Sequence, residues 1–242
     1  MSIAATAAHA GQILTDNFTV PVASDPNINP SDLNFNNTDW FVTSGTGQLT
    51  MGVTATGASQ LSAAQWDQGP SLELYTSSPN SVSVPAGEVF VASVTISLSN
   101  ATSATGGFYF STDSPSNPYF GLQSATWGLS ASDAIGGNPY APSITSGTFQ
   151  LIREGDTFTS QYEETGSDQF TTLVSFSNPG VEGNVYGFDL QIDLNDNPGA
   201  YPNYVTFSNF SVTSSVPDGG ATAIMLGAAL TGLAMLRRRL AK

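Results

Sequence analysis

The sequence has no cysteine. That removes disulfide frameworks, thiol nucleophiles and thiolate-bound zinc. Basic residues are almost as scarce: there are five, and Arg237, Arg238, Arg239 and Lys242 lie in the last six positions. Only Arg153 is left before Val216, where it stands against eighteen acids for a net charge of −17. Such a body repels phosphate backbones and anionic headgroups, which Lys and Arg must neutralise, so nucleic acid is not among its expected partners. No segment before Val216 carries a helical period, and no internal repeat is visible. The single histidine, His9, lies in the first ten residues, MSIAATAAHA, where Ala8-His9-Ala10 has the small-x-small form of a signal-peptidase site. Residues 1–10 are read as the remnant of a leader whose start lies upstream. If Ala10 is its last residue, the mature chain has no histidine, and a His-based triad is excluded.

Period-two alternation is what the body does have. In VFVASVTISLS, Phe90, Ala92, Val94, Ile96 and Leu98 share one face, with Ser93, Thr95 and Ser97 opposite. In VYGFDLQIDL, Tyr186, Phe188, Leu190, Ile192 and Leu194 share one face, opposite Asp189, Gln191 and Asp193. Both read as strands with one buried and one wet side. FQLIREGDTFTSQY reads as a hairpin turning at Glu154-Gly155-Asp156. Further strands are expected over Gln12 to Phe18, Trp40 to Thr43, Gln48 to Val53, Ser71 to Tyr75, Gly107 to Ser111, Tyr119 to Leu129 and Thr171 to Phe176. In YVTFSNFSV the inward phase switches from Val205 and Phe207 to Phe210 and Val212, which predicts a bulge near Ser208 or Asn209. Pro and Gly recur between these runs. The fold expected for residues 11–215 is all-β, a two-sheet antiparallel jelly-roll sandwich.

The last segment, residues 216–242, departs from this pattern. Val216-Pro217-Asp218-Gly219-Gly220 breaks the chain, Ala221 to Leu236 is an uncharged run of 16 residues, and Arg237, Arg238 and Arg239 follow at once. As a helix the run measures about 24 Å, short of the roughly 30 Å hydrocarbon core. A separate C-terminal hydrophobic helix is expected, with the arginines on the cytoplasmic side and the body outside. A buried core helix and a permanent single-pass anchor are the competing readings. In order and position these parts resemble the PEP-CTERM class of bacterial sorting signals, most closely the VPDSG-CTERM variant, with Gly219 where that variant has Ser. The resemblance implies export, transient residence in the inner membrane, recognition by an exosortase-type processing enzyme, removal of the tail, and delivery to the cell surface or an exopolysaccharide matrix.

The stretch FQLIREGDTFTSQYEETGSDQFTTLVSFSNP, with VYGFDLQIDLNDN and VTFSNFSVT after it, resembles the C-terminal half of laminin-G-like and concanavalin A-like jelly-roll domains. That resemblance implies a sandwich and a tendency to bind glycans; it does not imply an enzyme. Glycoside hydrolysis needs two carboxylates flanking one sugar bond. No Glu-x-Asp-x-Glu string is present, Glu163 and Glu164 are adjacent and point to opposite faces, and Glu154 and Asp156 sit at a hairpin tip. Trp40, Trp66, Trp127 and Tyr140, in or beside Gly-, Ser- and Asn-rich stretches, are the candidate sugar-stacking residues. No cofactor is demanded, but calcium suits oxygen-rich loops. Asp193, Asn195 and Asn197 begin like a D-x-N-x-N loop, although Pro198 stands where that loop needs Gly and Tyr204 where it needs Glu. Arg153 is expected to pair with an acid. The functional expectation is an exported structural or glycan-binding module without catalysis; the alternative is a secreted carbohydrate-active enzyme on the same fold.

Overall fold

The structure is a computed structural model that describes residues 11–29, 40–45, 47–53, 71–76, 84, 88–98, 104–112, 119–125, 128–132, 140–141, 144–177, 185–194 and 203–215. The strands in chain order are β1 (Gly11–Asp16), β2 (Trp40–Gly45), β3 (Gln48–Val53), β4 (Ser71–Tyr75), β5 (Val89–Leu98), β6 (Ala104–Thr112) and β7 (Tyr119–Ala125). They continue as β8 (Gly128–Ser132), β9 (Tyr140–Ala141), β10 (Ser146–Glu154), β11 (Thr157–Glu164), β12 (Thr171–Ser177), β13 (Val185–Leu194) and β14 (Asn203–Ser215). One 3-10 turn, Val22–Ser24, is the only helical piece among the described residues.

Two antiparallel sheets form the expected sandwich. One runs β12-β11-β10-β5-β14-β3-β2, with β1 also paired to β14; the other runs β4-β13-β6-β7-β8-β9. Phe90, Ala92, Val94, Ile96 and Leu98 are all buried, as their alternation requires. The hairpin closes with Glu154 opposite Thr157, so only Gly155 and Asp156 lie in the loop, and Gly155 takes φ +59°, a conformation that costs a residue without Cβ nothing.

The bulge falls where the phase switch puts it. On β14 the register to β5 shifts between Ser208 and Ser211, and Asn209 sits at φ +54°. Asn tolerates this left-handed region better than most residues. The extra residue keeps Val205, Phe207, Phe210 and Val212 all in the core. It also marks a change of partner: before it, Asn203 to Phe207 pair with β3, and after it, Phe210 to Ser214 pair with β1.

The sequence reading runs Tyr119 to Leu129 as one strand. Instead Ala125 pairs with Gly128, and β7 and β8 form a hairpin. The facing phase passes from even to odd positions across the two-residue loop, as Leu122 with Ala131 and Ser124 with Leu129 show, but the Ser, Ala and Gly around it give too little apolar contrast for periodicity to reveal the turn. β9 carries only two residues, too few for a pattern.

The core between the sheets is aromatic. Phe188 stands at its centre, with ring centroids 6.0 Å from Phe90, 6.1 Å from Phe108, 6.3 Å from Phe110 and 5.9 Å from Phe210. Edge-to-face and tilted pairs at these spacings suit the ring quadrupole. Phe110 stacks on Phe158, which stacks on Phe176, carrying the cluster toward the β12 edge.

Arg153 occupies a core position. It shares the inward phase of β10 with Phe149 and Leu151, is 1% exposed, and stands in register between Phe90 and Phe158. Its Nε donates to the Glu88 carbonyl at 3.1 Å, its Nη2 to the Val84 carbonyl at 3.5 Å, and its guanidinium lies 5.2 Å from the centroid of the Phe90 ring. The partners on view are carbonyls and a π face, both suited to a planar cation.

Candidate functional site

Because Leu72, Leu74, Phe108, Phe110, Phe188, Leu190 and Ile192 point into the sandwich, the alternate positions of β4, β6 and β13 lie on the outer face of the six-stranded sheet. Register lines those positions up. One row reads Tyr75, Asp189, Tyr109, Gly121, Ser132. The next reads Glu73, Gln191, Gly107, Gln123, Ser130, Tyr140 and crosses all six strands. Acidic, amide, hydroxyl and phenol residue types thus occupy one register line.

Asp189 corrects the sequence reading, which gives it a wet face. It is 1% exposed, and its cross-strand neighbour Tyr109 is 4% exposed. The physical cause is the pair of tyrosines that flank it in register, together with Gly107, which leaves room for the Tyr109 side chain; a Cβ at Gly107 would overlap the Tyr109 ring. Alternation tells which face a residue takes, not whether water reaches that face.

Of the residues singled out from sequence, Tyr140 stands in β9 at the end of the long row, and Asp193 stands in β13 opposite Ser71 and Thr105. Trp40 opens β2, at the edge of the other sheet, so the fold separates it from Tyr140. Trp66, Trp127, Asn195, Asn197, the Val216 to Gly220 motif and Arg237, Arg238 and Arg239 lie outside the described residues. Glu154 is exposed at the hairpin tip, as a solvated turn residue is. Among the described residues no group of three or more His, Asp or Glu is placed to hold a metal ion. Tyr75, Tyr109 and Gln191 were not singled out from sequence. The available signal was the outward phase of two tyrosines in β4 and β6, but rows across strands require pairing information that one chain's pattern does not contain.

The tail carries a recognisable signal. Residues 215–240 match the VPDSG-CTERM motif. A VPDSG-CTERM signal indicates an exported protein sorted by an exosortase-type system. Among the described residues no helix is long and apolar enough to cross a membrane, and the run Ala221 to Leu236 lies outside them. No curated protein matches the chain in sequence.

Solved structures share the body's fold. The laminarinase from Rhodothermus marinus superposes with a TM-score of 0.58 at 10% identity, over 85% of this chain and 97% of that one. Peanut lectin gives 0.55 at 11% identity, over 86% and 99%. An immunostimulatory antigen and pseudo β-1,3-glucanase of Mycobacterium tuberculosis gives 0.52 at 11%, over 85% and 99%. The body is a concanavalin A-like jelly roll, a fold these proteins use for both lectins and glucanases.

Proposed function

We propose that the chain is a surface or extracellular-matrix component, tethered in the inner membrane by its tail until an exosortase-type enzyme removes it, and that the sandwich then acts as a structural or glycan-binding module without catalysis. The observation that carries this is the VPDSG-CTERM match at residues 215–240, joined to a sandwich of lectin and glucanase shape. The binding face is the outer side of the six-stranded sheet, along the row from Glu73 through Gln191 to Tyr140. Trp66 and Trp127 are proposed as further stacking residues. The single base of the body, Arg153, is buried, so residues 11–215 present no cation to an anionic polymer. The glycan is therefore neutral or amino-substituted rather than a uronate or sulfate polymer.

One observation favours the alternative, a carbohydrate-active enzyme. In register Glu73 stands diagonal to both Asp189 and Asp193, a Cα separation of about 7 to 8 Å that suits paired carboxylates about 5 to 9.5 Å apart. Burial counts against the pairing with Asp189, because a carboxylate 1% exposed does not reach a glycosidic oxygen in an open groove.

A glycan array probed with the full chain, paired with a reducing-end assay on the glycans that bind, separates the two. The expected result is retention of neutral glycans with no release of reducing ends. Release that disappears in Glu73→Gln establishes the enzyme instead, and a blank array leaves the purely structural role.

A further inference from the structure

Strand register fixes the end of the sandwich from which the tail departs. Ser215 stands opposite Val89, and Ser214 stands opposite both Phe90 and Gly11, so β14 stays paired to its last residue. Antiparallel pairing from β5 to β10 and on to β11 puts the Glu154 to Thr157 turn at the same end. The exit point is firmly held. Ser214 is buried and its hydroxyl donates to the Glu88 carboxylate at 3.2 Å, while the Glu88 carbonyl accepts Arg153 Nε at 3.1 Å. No slack is left before Val216.

Only five residues, Val216 to Gly220, separate Ser215 from the apolar run that begins at Ala221. Fully extended, the six steps from Ser215 to Ala221 reach at most about 20 Å. The nine residues of β10 span about 27 Å. With the run in lipid, the tether is therefore too short for the sandwich to stand inverted, its exit end uppermost. Lying on a broad face is within reach, but charge opposes it. Eighteen acids precede Val216 and the one base among them is buried, so a flat body brings a whole acidic face within about 8 Å, one Debye length, of anionic headgroups. The exit end presents fewer: Glu88, Glu154 and Asp156 among the described residues.

We propose that, while the tail is in place, the sandwich stands end-on to the inner membrane, with Gly11, Val89, Ser215 and the Glu154 to Thr157 turn toward the lipid. This rests on the tail reading given above. The strands then run along the membrane normal in both sheets, because β5 and β6 are aligned across the core. Phe90 meets Phe110 at 5.3 Å, and a Cβ on Gly106 would touch Ile96 and Leu98, so β6 runs opposite to β5 along the same axis. The row from Glu73 through Gln191 and Gly107 to Tyr140 crosses these strands. It therefore lies parallel to the membrane, next to Gly106 and thus in the half of the sheet away from the lipid, and it opens sideways. The tethered chain already presents the face proposed for glycans, so removal of the tail releases the module rather than uncovering it.

The test uses single cysteines, which the natural absence of cysteine makes specific. The full chain carrying Asp156→Cys, Thr145→Cys or Gln191→Cys is labelled with a fluorophore. Each is mixed with phosphatidylcholine–phosphatidylglycerol vesicles that hold a quencher on their headgroups, and the vesicles are recovered by flotation. Thr145, exposed just before β10, and Asp156, just after it, mark the two ends of that strand. The expected result is that the chain floats with the vesicles, the label at 156 loses most of its fluorescence, and the labels at 145 and 191 lose little. Should Asp156→Cys fail to fold, Glu154→Cys, exposed at the same turn, reports in its place. Equal losses at 156 and 145, or the greatest loss at 191, overturn the end-on placement while leaving the tail reading intact. A chain that does not float with the vesicles refutes the tail reading and this placement together.

Discussion

Phe188→Ala lowers the stability of the chain by about 3 to 5 kcal/mol, the range for a large aromatic truncated in a closed core. Its ring lies within 6.3 Å, centroid to centroid, of Phe90, Phe108, Phe110 and Phe210. Those neighbours come from β5, β6 and β14, so one truncation opens the contact between the two sheets. None of them relaxes easily into the gap, because each is fixed by its own strand register. At about 2 to 4 °C per kcal/mol for a chain of this length, Tm falls by about 6 to 20 °C. Chemical denaturation by urea measures it. A loss under 1 kcal/mol shows that the cluster is not the centre of the core.

Arg153→Ala is expected to cost about 3 to 5 kcal/mol, comparable with breaking a buried charged interaction. The change empties a long side chain's volume from a site 1% exposed and removes the donors to the Glu88 and Val84 carbonyls. Arg153→Met separates the two contributions. Methionine refills most of the space beside Phe90 but donates nothing, so the loss that remains, about 1 to 3 kcal/mol, is that of leaving the carbonyls unsatisfied. Full recovery in the methionine variant contradicts the hydrogen-bonding account. Arg153 also bears on function, since its burial is what leaves the body without an accessible base.

How far the sequence could be read depended on what each signal encodes. Phe90 to Leu98 was legible residue by residue because strict alternation and a one-sided core coincide there. The β14 bulge was legible because a slip of one residue is the only way Phe207 and Phe210 both turn inward. Arg153 was expected at an acid because charge is ordinarily solvated or paired. Its burial was legible in its phase on β10, shared with Phe149 and Leu151. Asp16 carried the same kind of signal: an acid in phase with Leu14, on the apolar side of β1. The outer-face row was not legible at all, since it is assembled from six strands whose neighbours follow from topology. The β7–β8 turn was hidden because the small residues around it, Ser124, Ala125, Gly128 and Ser130, carry too little apolar contrast to mark the change of phase.

The C-terminus, in contrast, was legible as a unit, because motif, apolar run and arginines act in a fixed order on one stretch of chain. Intact-mass measurement of the protein recovered from the cell surface or matrix of its producing cell tests that reading most directly. The account predicts a product that ends at or near Val216 to Gly220 and lacks the run Ala221 to Leu236 with the arginines beyond it. A surface product that still carries Lys242 contradicts it and makes the tail a permanent anchor.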